Sequence, residues 1–335
     1  MKHGLLELIC CPQCQSALEI RAERTVGDEI ESGSLACLGC RRGFPIRGSI
    51  PRFVETHDYA DAFTVEWNAF RTAHLDSFTG LNYLENQFRE FLDFPVDALV
   101  GKLVLDAGCG LGRFTEVVLN HGGHAVAVDV SGAIDAAFRN LGHRENVHFL
   151  QADIFNLPLK KETFDLVYSW GVLHHTPDPP AAFRELPSLL RPGGKLMTMI
   201  YADYNKPYLA VTGFYRRLTT KLPKRVLLRL SYVAVPLYYV GKLPLIGPLI
   251  TRILLPVSVR PPTHRWRVGN TFDLYSPKYA FTYDHVSVHG WYENAGLEQI
   301  RPVAPGSGVS YIATKPPVGV LAWNDSEREV RSRNA

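Results

Sequence analysis

The stretch Lys102-Leu103-Val104-Leu105-Asp106-Ala107-Gly108-Cys109-Gly110-Leu111-Gly112-Arg113-Phe114 constrains this chain more than any other. An apolar run ends in an acid and three alternating glycines, after which a helical pattern begins at Arg113. This is the grammar of a strand, a tight turn and a helix start, with backbone left bare for a ligand. The spacing is G-x-G-x-G, whereas the dinucleotide fingerprint is G-x-G-x-x-G opening onto a pyrophosphate. Two further apolar runs follow, His124 to Asp129 and Val147 to Asp153, each ending in an acid. Ligands of open parallel sheets bind outside the carboxyl ends of the strands, so the glycine loop, Asp129 and Asp153 should converge on one crevice. Such a crevice suits an amino acid joined to an adenosine, with no phosphate to hold.

Two more motifs extend the pattern, Phe164 through Trp170-Gly171 to Thr176, and Leu190-Arg191-Pro192-Gly193-Gly194-Lys195. With them, about a hundred consecutive residues resemble the class I S-adenosylmethionine-dependent methyltransferases. The resemblance implies a Rossmann-like α/β fold, a seven-stranded, mostly parallel sheet finished by an antiparallel hairpin. It also implies that Asp106, Gly108, Gly110 and Gly112 face the methionine part of S-adenosylmethionine, Asp129 the ribose and Asp153 the adenine amino group. Ile154, Trp170 and Gly171 complete the expected cofactor set. The competing reading of the same motifs is a nucleotide-binding or silent relative.

The cysteines add a second module. Cys11-Pro12-Gln13-Cys14 and Cys37-Leu38-Gly39-Cys40 are two tight knuckles separated by a hairpin's length of chain. This spacing reads as a structural zinc site of four thiolates, Cys11, Cys14, Cys37 and Cys40. Cys10 competes with Cys11 for the register, and the Cys-Pro-x-Cys form favours Cys11. Cys109, far along the chain, reads as a small packing residue. With Phe44-Pro45-Ile46 and Gly48 to Pro51, the ribbon is similar to the small zinc-ribbon protein that activates several methyltransferases in trans.

The expected organisation is a zinc ribbon over 1–54, a helical cap over the cofactor site at 55–94 and the sheet core at 95–202. A helical insertion follows at 203–281, then the last helix and hairpin at 282–316 and a disordered tail at 317–335. In the cap, Phe63, Trp67 and Phe70 recur at helical spacing and read first as core contacts; the segment Glu66-Trp67-Asn68, followed by Leu75-Asp76-Ser77 and Gly80, is also similar to a bacterial methyltransferase subgroup, a resemblance that implies a part in closing over the cofactor. The amino terminus, with an acid in a short apolar patch before the cysteines, does not read as a secretory signal. No uncharged apolar run reaches bilayer length, and the expected location is the cytoplasm, including the inner face of the membrane.

Between Asp203 and Asp273 there is no acid, while Lys and Arg punctuate a strongly apolar text. Two readings compete: a helical lid covering the substrate side, and an interfacial surface in which basic residues flank Leu, Ile, Tyr and Trp. Both suit a hydrophobic small molecule, lipid or lipid-linked glycan as acceptor, methylated at oxygen or carbon. The alternatives are an RNA methyltransferase that holds phosphates with the ribbon and insertion, and a catalytically silent S-adenosylmethionine-binding partner. RNA is the weaker fit, because so apolar an insertion wastes surface against a polar backbone. His174 and His175, just past Trp170, are the candidate bases; the competing role for each is structural or substrate-orienting. His285 and His289 read as surface or packing residues.

Overall fold

A computed structural model of the chain describes residues 1–54, 59–258, 263–304 and 308–317. The tail expected to be disordered falls outside these residues from 318 onward, as do Gly306 and Ser307 of the last hairpin.

The ribbon is a four-stranded antiparallel sheet, β1 (Leu18–Val26), β2 (Glu29–Cys37), β3 (Gly43–Arg47) and β4 (Ile50–Pro51), in that order. Gly27, at φ +57°, opens the two-residue turn between β1 and β2, where a positive φ matches the twist of the hairpin.

The second sheet contains β5 (Leu103–Ala107), β6 (His124–Asp129), β7 (Val147–Gln151), β8 (Phe164–Trp170), β9 (Leu190–Ile200), β10 (Glu298–Pro302) and β11 (Val309–Thr314). Its order is β10-β11-β9-β8-β5-β6-β7. The strands from β5 to β9 run parallel, and β11 is antiparallel to both neighbours. Val104 and Leu105 have no exposure, as a central strand covered on both faces requires. The chain leaves β5 toward β6 on one side and later returns to β8 on the other, so the switch point lies at the carboxyl end of β5.

The ribbon is built into this sheet. Leu5, Ile9, Leu18 and Leu35 belong to the same apolar cluster as Leu150, Ala152 and Leu159. Beyond β4, Arg52 bridges Gln151 in parallel and the Phe53 N–H donates to the Gln151 carbonyl at 2.8 Å, covering the β7 edge. The Arg52 guanidinium reaches Asp135 at 2.7 Å and the Gln151 side chain at 2.9 Å. An open sheet edge is thereby paired rather than left to other chains.

Helices α1 (Asp61–Ala69), α2 (Asp76–Thr79) and α3 (Tyr83–Phe91) follow the ribbon. Only the first behaves as a cap, with the Thr64 hydroxyl oxygen accepting from the Gly132 N–H at 2.9 Å above the crevice. In contrast, α3 buries Leu84, Phe88 and Phe91, an i, i+4, i+7 stripe, against the sheet layer. The Phe91 and Trp170 rings lie 3.4 Å apart between centroids, and Phe88 stacks on Phe114 at 5.4 Å.

Helices α4 (Arg113–Asn120), α5 (Ala133–Leu141) and α6 (Pro179–Glu185) complete the crossovers. The Asp178 carboxylate caps α6 by accepting from the Ala181 N–H at 3.0 Å, ahead of prolines suited to a first turn. Next come α7 (Lys206–Thr219), α8 (Lys224–Leu230), α9 (Ala234–Val240), the single turn α10 (Ile246–Pro248) and a π-helical turn over Leu249–Leu254. Then α11 (His264–Tyr275) packs back on α1, α7 and α9. Last, α12 (His285–Asn294) is capped by Asp284, which accepts from the Ser287 N–H at 2.7 Å, and leads into β10. Among the described residues no helix is long and apolar enough to cross a membrane.

Candidate functional site

At the switch point the glycine loop departs from β5. Gly108, Gly110 and Gly112 hold φ of +93°, +56° and +91°, the region from which a Cβ is largely excluded. Space is short for a side chain as well. A Cβ on Gly108 would lie 2.4 Å from a Val172 methyl carbon, and one on Gly110 3.2 Å from Trp67 Nε1. Gly112 faces inward instead, toward Leu141 of α5.

The acid ending β6 holds this loop in shape. Asp129 Oδ2 accepts from the Gly110 N–H at 2.9 Å, while Oδ1 accepts from the Ser131 N–H at 2.8 Å and hydroxyl at 2.7 Å. Burial raises its pKa, and these hydrogen bonds oppose the rise. Asp106 is buried beneath the loop, where it accepts from the Thr115 hydroxyl at 2.6 Å. Burial pushes its pKa up to about 6.

A cavity of about 860 Å³ opens above the loop. Of the residues singled out from the sequence, Gly108, Gly110, Asp129, Ile154, Trp170, Gly171 and His175 line it. Asp106, Gly112, Asp153 and His174 do not. Asp153 accepts from the Phe155 N–H at 3.1 Å and so caps the single turn Ile154–Asn156, positioning Ile154 at the wall. Phe63 and Trp67, read first as core, form part of the roof, because α1 crosses the mouth of the crevice rather than packing within the sheet.

The two adjacent histidines separate cleanly. His175 Nδ1 lies 2.8 Å from the Tyr279 carbonyl oxygen. A carbonyl only accepts, so Nδ1 carries the proton and Nε2 keeps its lone pair. Burial lowers the pKa of His175, which favours this neutral form. His174 is in the opposite tautomer: its Nδ1 accepts from the Tyr201 N–H at 3.3 Å, and its ring stacks on that of Tyr201 at 3.7 Å. It is fully buried behind the wall.

Several residues at the far end of the cavity escaped the sequence reading. The Tyr201 hydroxyl donates to Asp273 Oδ2 at 3.1 Å, and both line the cavity with Arg216 and Tyr208. Asp273 had a signal of its own, as the acid that ends the acid-free insertion. Arg113, first residue of α4, also lines the cavity, with its guanidinium 5.2 Å from the Trp67 ring centre. Glu66 is wholly buried on α1 with no hydrogen-bond partner among the described residues. Burial raises its pKa well above the carboxylate range, Asp273 adds to the rise, and Arg113 opposes it.

In the ribbon, the sulfurs of Cys11, Cys14, Cys37 and Cys40 lie within 4.8 Å of one another. Four convergent thiols with two knuckles fit a tetrahedral zinc ion. Cys10 is outside the cluster and its thiol meets the Gln15 side-chain oxygen at 3.2 Å, which settles the register in favour of Cys11. Cys109 is buried in an apolar cluster and also lines the cavity.

Comparison with known proteins agrees with this division. Residues 105–198 match the family described as a methyltransferase domain, and residues 2–49 match the family described as Trm112p-like protein. A ubiquinone biosynthesis O-methyltransferase of Coxiella burnetii is 29% identical over 160 residues, 46% of this chain and 64% of the relative. The human probable tRNA methyltransferase 9B is 36% identical over 109 residues, 32% of this chain and 23% of the relative. The chain thus spans less than two thirds of either relative's length. A chain of the solved complex containing the Haloferax volcanii Trm112 methyltransferase activator superposes with a TM-score of 0.46 at 14% identity, covering 76% of this chain and 97% of that one. Within one polypeptide, this protein joins a Trm112p-like domain, with a four-cysteine cluster, to a methyltransferase domain.

Proposed function

We propose that this chain transfers a methyl group from S-adenosylmethionine to a hydroxyl of an apolar acceptor, with a structural zinc in its ribbon. The observation that carries this reading is the single cavity reaching from the glycine loop, past His175, to α7 and α11 of the insertion. The loop fits a cofactor that presses on bare backbone, since Gly108 and Gly110 line the cavity without side chains. Bound there, S-adenosylmethionine supplies a methyl group already activated as a sulfonium.

The residues of the chain then have separable tasks. Gly108 and Gly110 admit the cofactor, Asp129 has acceptor capacity left for a ribose hydroxyl, and Trp67 closes the roof. His175 Nε2 takes the proton of the acceptor hydroxyl as the oxygen gains the methyl group; Tyr279 fixes the ring in the tautomer that allows it. Tyr201 and Asp273 hold the acceptor end, and His174 acts through its stacking on Tyr201. Tyr208, Leu209, Thr212 and Val257 give the acceptor's body a mixed but largely apolar wall. Two outcomes of nature agree with this reading or its rival: a related protein is named for ubiquinone biosynthesis, another for tRNA methylation.

Two measurements test it. Asp129→Ala should weaken S-adenosylmethionine binding in calorimetry by about 1.5–3 kcal/mol, the loss of a charge-assisted bond. His175→Gln should keep that binding while the methylation rate falls by about 10²–10⁴. Acceptors are sought by incubating protein and methyl-labelled cofactor with lipid and RNA extracts. Label in RNA alone overturns the apolar acceptor, and unchanged affinity in Asp129→Ala overturns the cofactor site.

A further inference from the structure

Helix α7 has its apolar residues on two sides. Tyr208, Leu209 and Thr212 face the cavity, together with Arg216 one turn on. The other side should be polar in a simple lid. Instead it carries Phe214 and Leu218, each 60% exposed, beside the exposed Arg217 and Lys221. The Tyr215 hydroxyl donates to the Leu254 carbonyl at 2.9 Å and ties α7 to the π-helical turn. That turn and the segment before it expose more apolar surface, at Leu243, Ile246, Leu249 and Leu254. Leu245 is the extreme case, 91% exposed and held at φ +63°, a conformation rare for a bulky residue. Nothing in the folded chain is stabilised by leaving these side chains in water.

We propose that this face, from α7 through the α9–α10 segment to the π-helical turn, docks on an anionic lipid bilayer. Charge selects that occupant. No acid lies between Asp203 and Asp273, and exposed Arg217, Lys221 and Lys242 adjoin the apolar side chains along the chain. Basic rims around an apolar face match anionic headgroups above acyl chains. A second copy of the chain would bring the same positive face against itself, and an RNA backbone offers nothing for Leu245 or Phe214 to enter. The helix that would touch the bilayer is also a wall of the cavity, so an apolar acceptor passes from membrane to site across one helix. This last step rests on the proposed function; the docking itself does not.

The test is flotation of the full chain with vesicles of phosphatidylcholine alone or mixed with phosphatidylglycerol. The wild type is expected to float with the mixed vesicles, and less so as salt is raised. Phe214→Glu/Leu218→Glu/Leu245→Glu should lower the binding constant about tenfold or more. Val26→Glu, on the exposed edge of the ribbon, should not change it. Circular-dichroism melts of the same variants show whether each is folded, and calorimetry with S-adenosylmethionine keeps the two proposals apart. Absence of flotation with either vesicle, or equal flotation of wild type and triple variant, overturns the docking face while leaving cofactor binding to be judged alone. Retention of RNA in place of vesicles also overturns it.

Discussion

Ile9→Ala tests whether the ribbon and the methyltransferase sheet share one core. Ile9 is 1% exposed, bridges Leu159 in an antiparallel pair, and clusters with Leu150 and Leu159 across the boundary between the modules. Around it the backbone is fixed on both sides. The Cys10 N–H donates to the Pro158 carbonyl at 3.1 Å, and the Lys160 N–H to the Leu8 carbonyl at 2.9 Å. The surroundings therefore have little freedom to collapse into the space left by the side chain. Removing three carbons from such a site costs about 2–5 kcal/mol through lost transfer energy and the remaining cavity. At about 2 °C per kcal/mol for a long chain, the thermal midpoint should fall by ~4–10 °C. Differential scanning calorimetry is the assay, because it resolves how many units unfold. A shared core predicts that the transition containing the methyltransferase sheet moves with the ribbon. If a ribbon transition shifts alone and the sheet's transition stays at its wild-type temperature, the shared core is refuted.

Elemental analysis should give one zinc per chain, retained in Cys10→Ser and lost in Cys11→Ser, because only Cys11 is within reach of the other three sulfurs. His74, His174 and His175 are buried with pKa values held down by burial, and His148 is held down to about 4. Each folded value lies below the unfolded one, so their contribution is complete above about pH 6.5 and is lost as pH falls below it. Glu66, Asp106 and Asp129, whose values burial raises, act in the opposite sense, so the histidine share is read by difference: between pH 7 and pH 5 the urea midpoint of His148→Phe should fall less than that of the wild type, and equal falls would count against a neutral His148. The same lowered pKa predicts a methylation rate that stays level down through about pH 6.5 and declines only in buffer more acid than an ordinary histidine would require, read from a pH–rate profile with protein shown to be folded. Gly108→Ala should impair folding or cofactor binding, seen in thermal melts and calorimetry, since its Cβ would overlap Val172 at a φ of +93°.

The parts legible in the sequence were those governed by local spacing. A parallel strand covered on both faces is a continuous apolar run, so β5 to β9 announced themselves, and a strand, glycine turn and helix start placed the crevice. Two Cys-x-x-Cys knuckles converge because each tight turn aims its sulfurs to one side. The conformational demand at Gly108 and Gly110 needed no neighbour to be read. Tertiary structure alone decided what faces the cavity. His174 and His175 are adjacent in the chain, yet opposite hydrogen bonds, from the Tyr201 N–H to His174 Nδ1 and from His175 Nδ1 to the Tyr279 carbonyl, give them opposite tautomers and different surroundings. Asp273 meets Tyr201 across 72 residues of chain, a pairing with no local periodicity to betray it. Phe63 and Trp67 have the spacing of core residues, and only the path of α1 across the crevice makes them its roof. The sequence could place the basic, apolar insertion, but which of its apolar side chains would be buried depended on how its helices pack on α1 and on one another, and the remainder were left facing water.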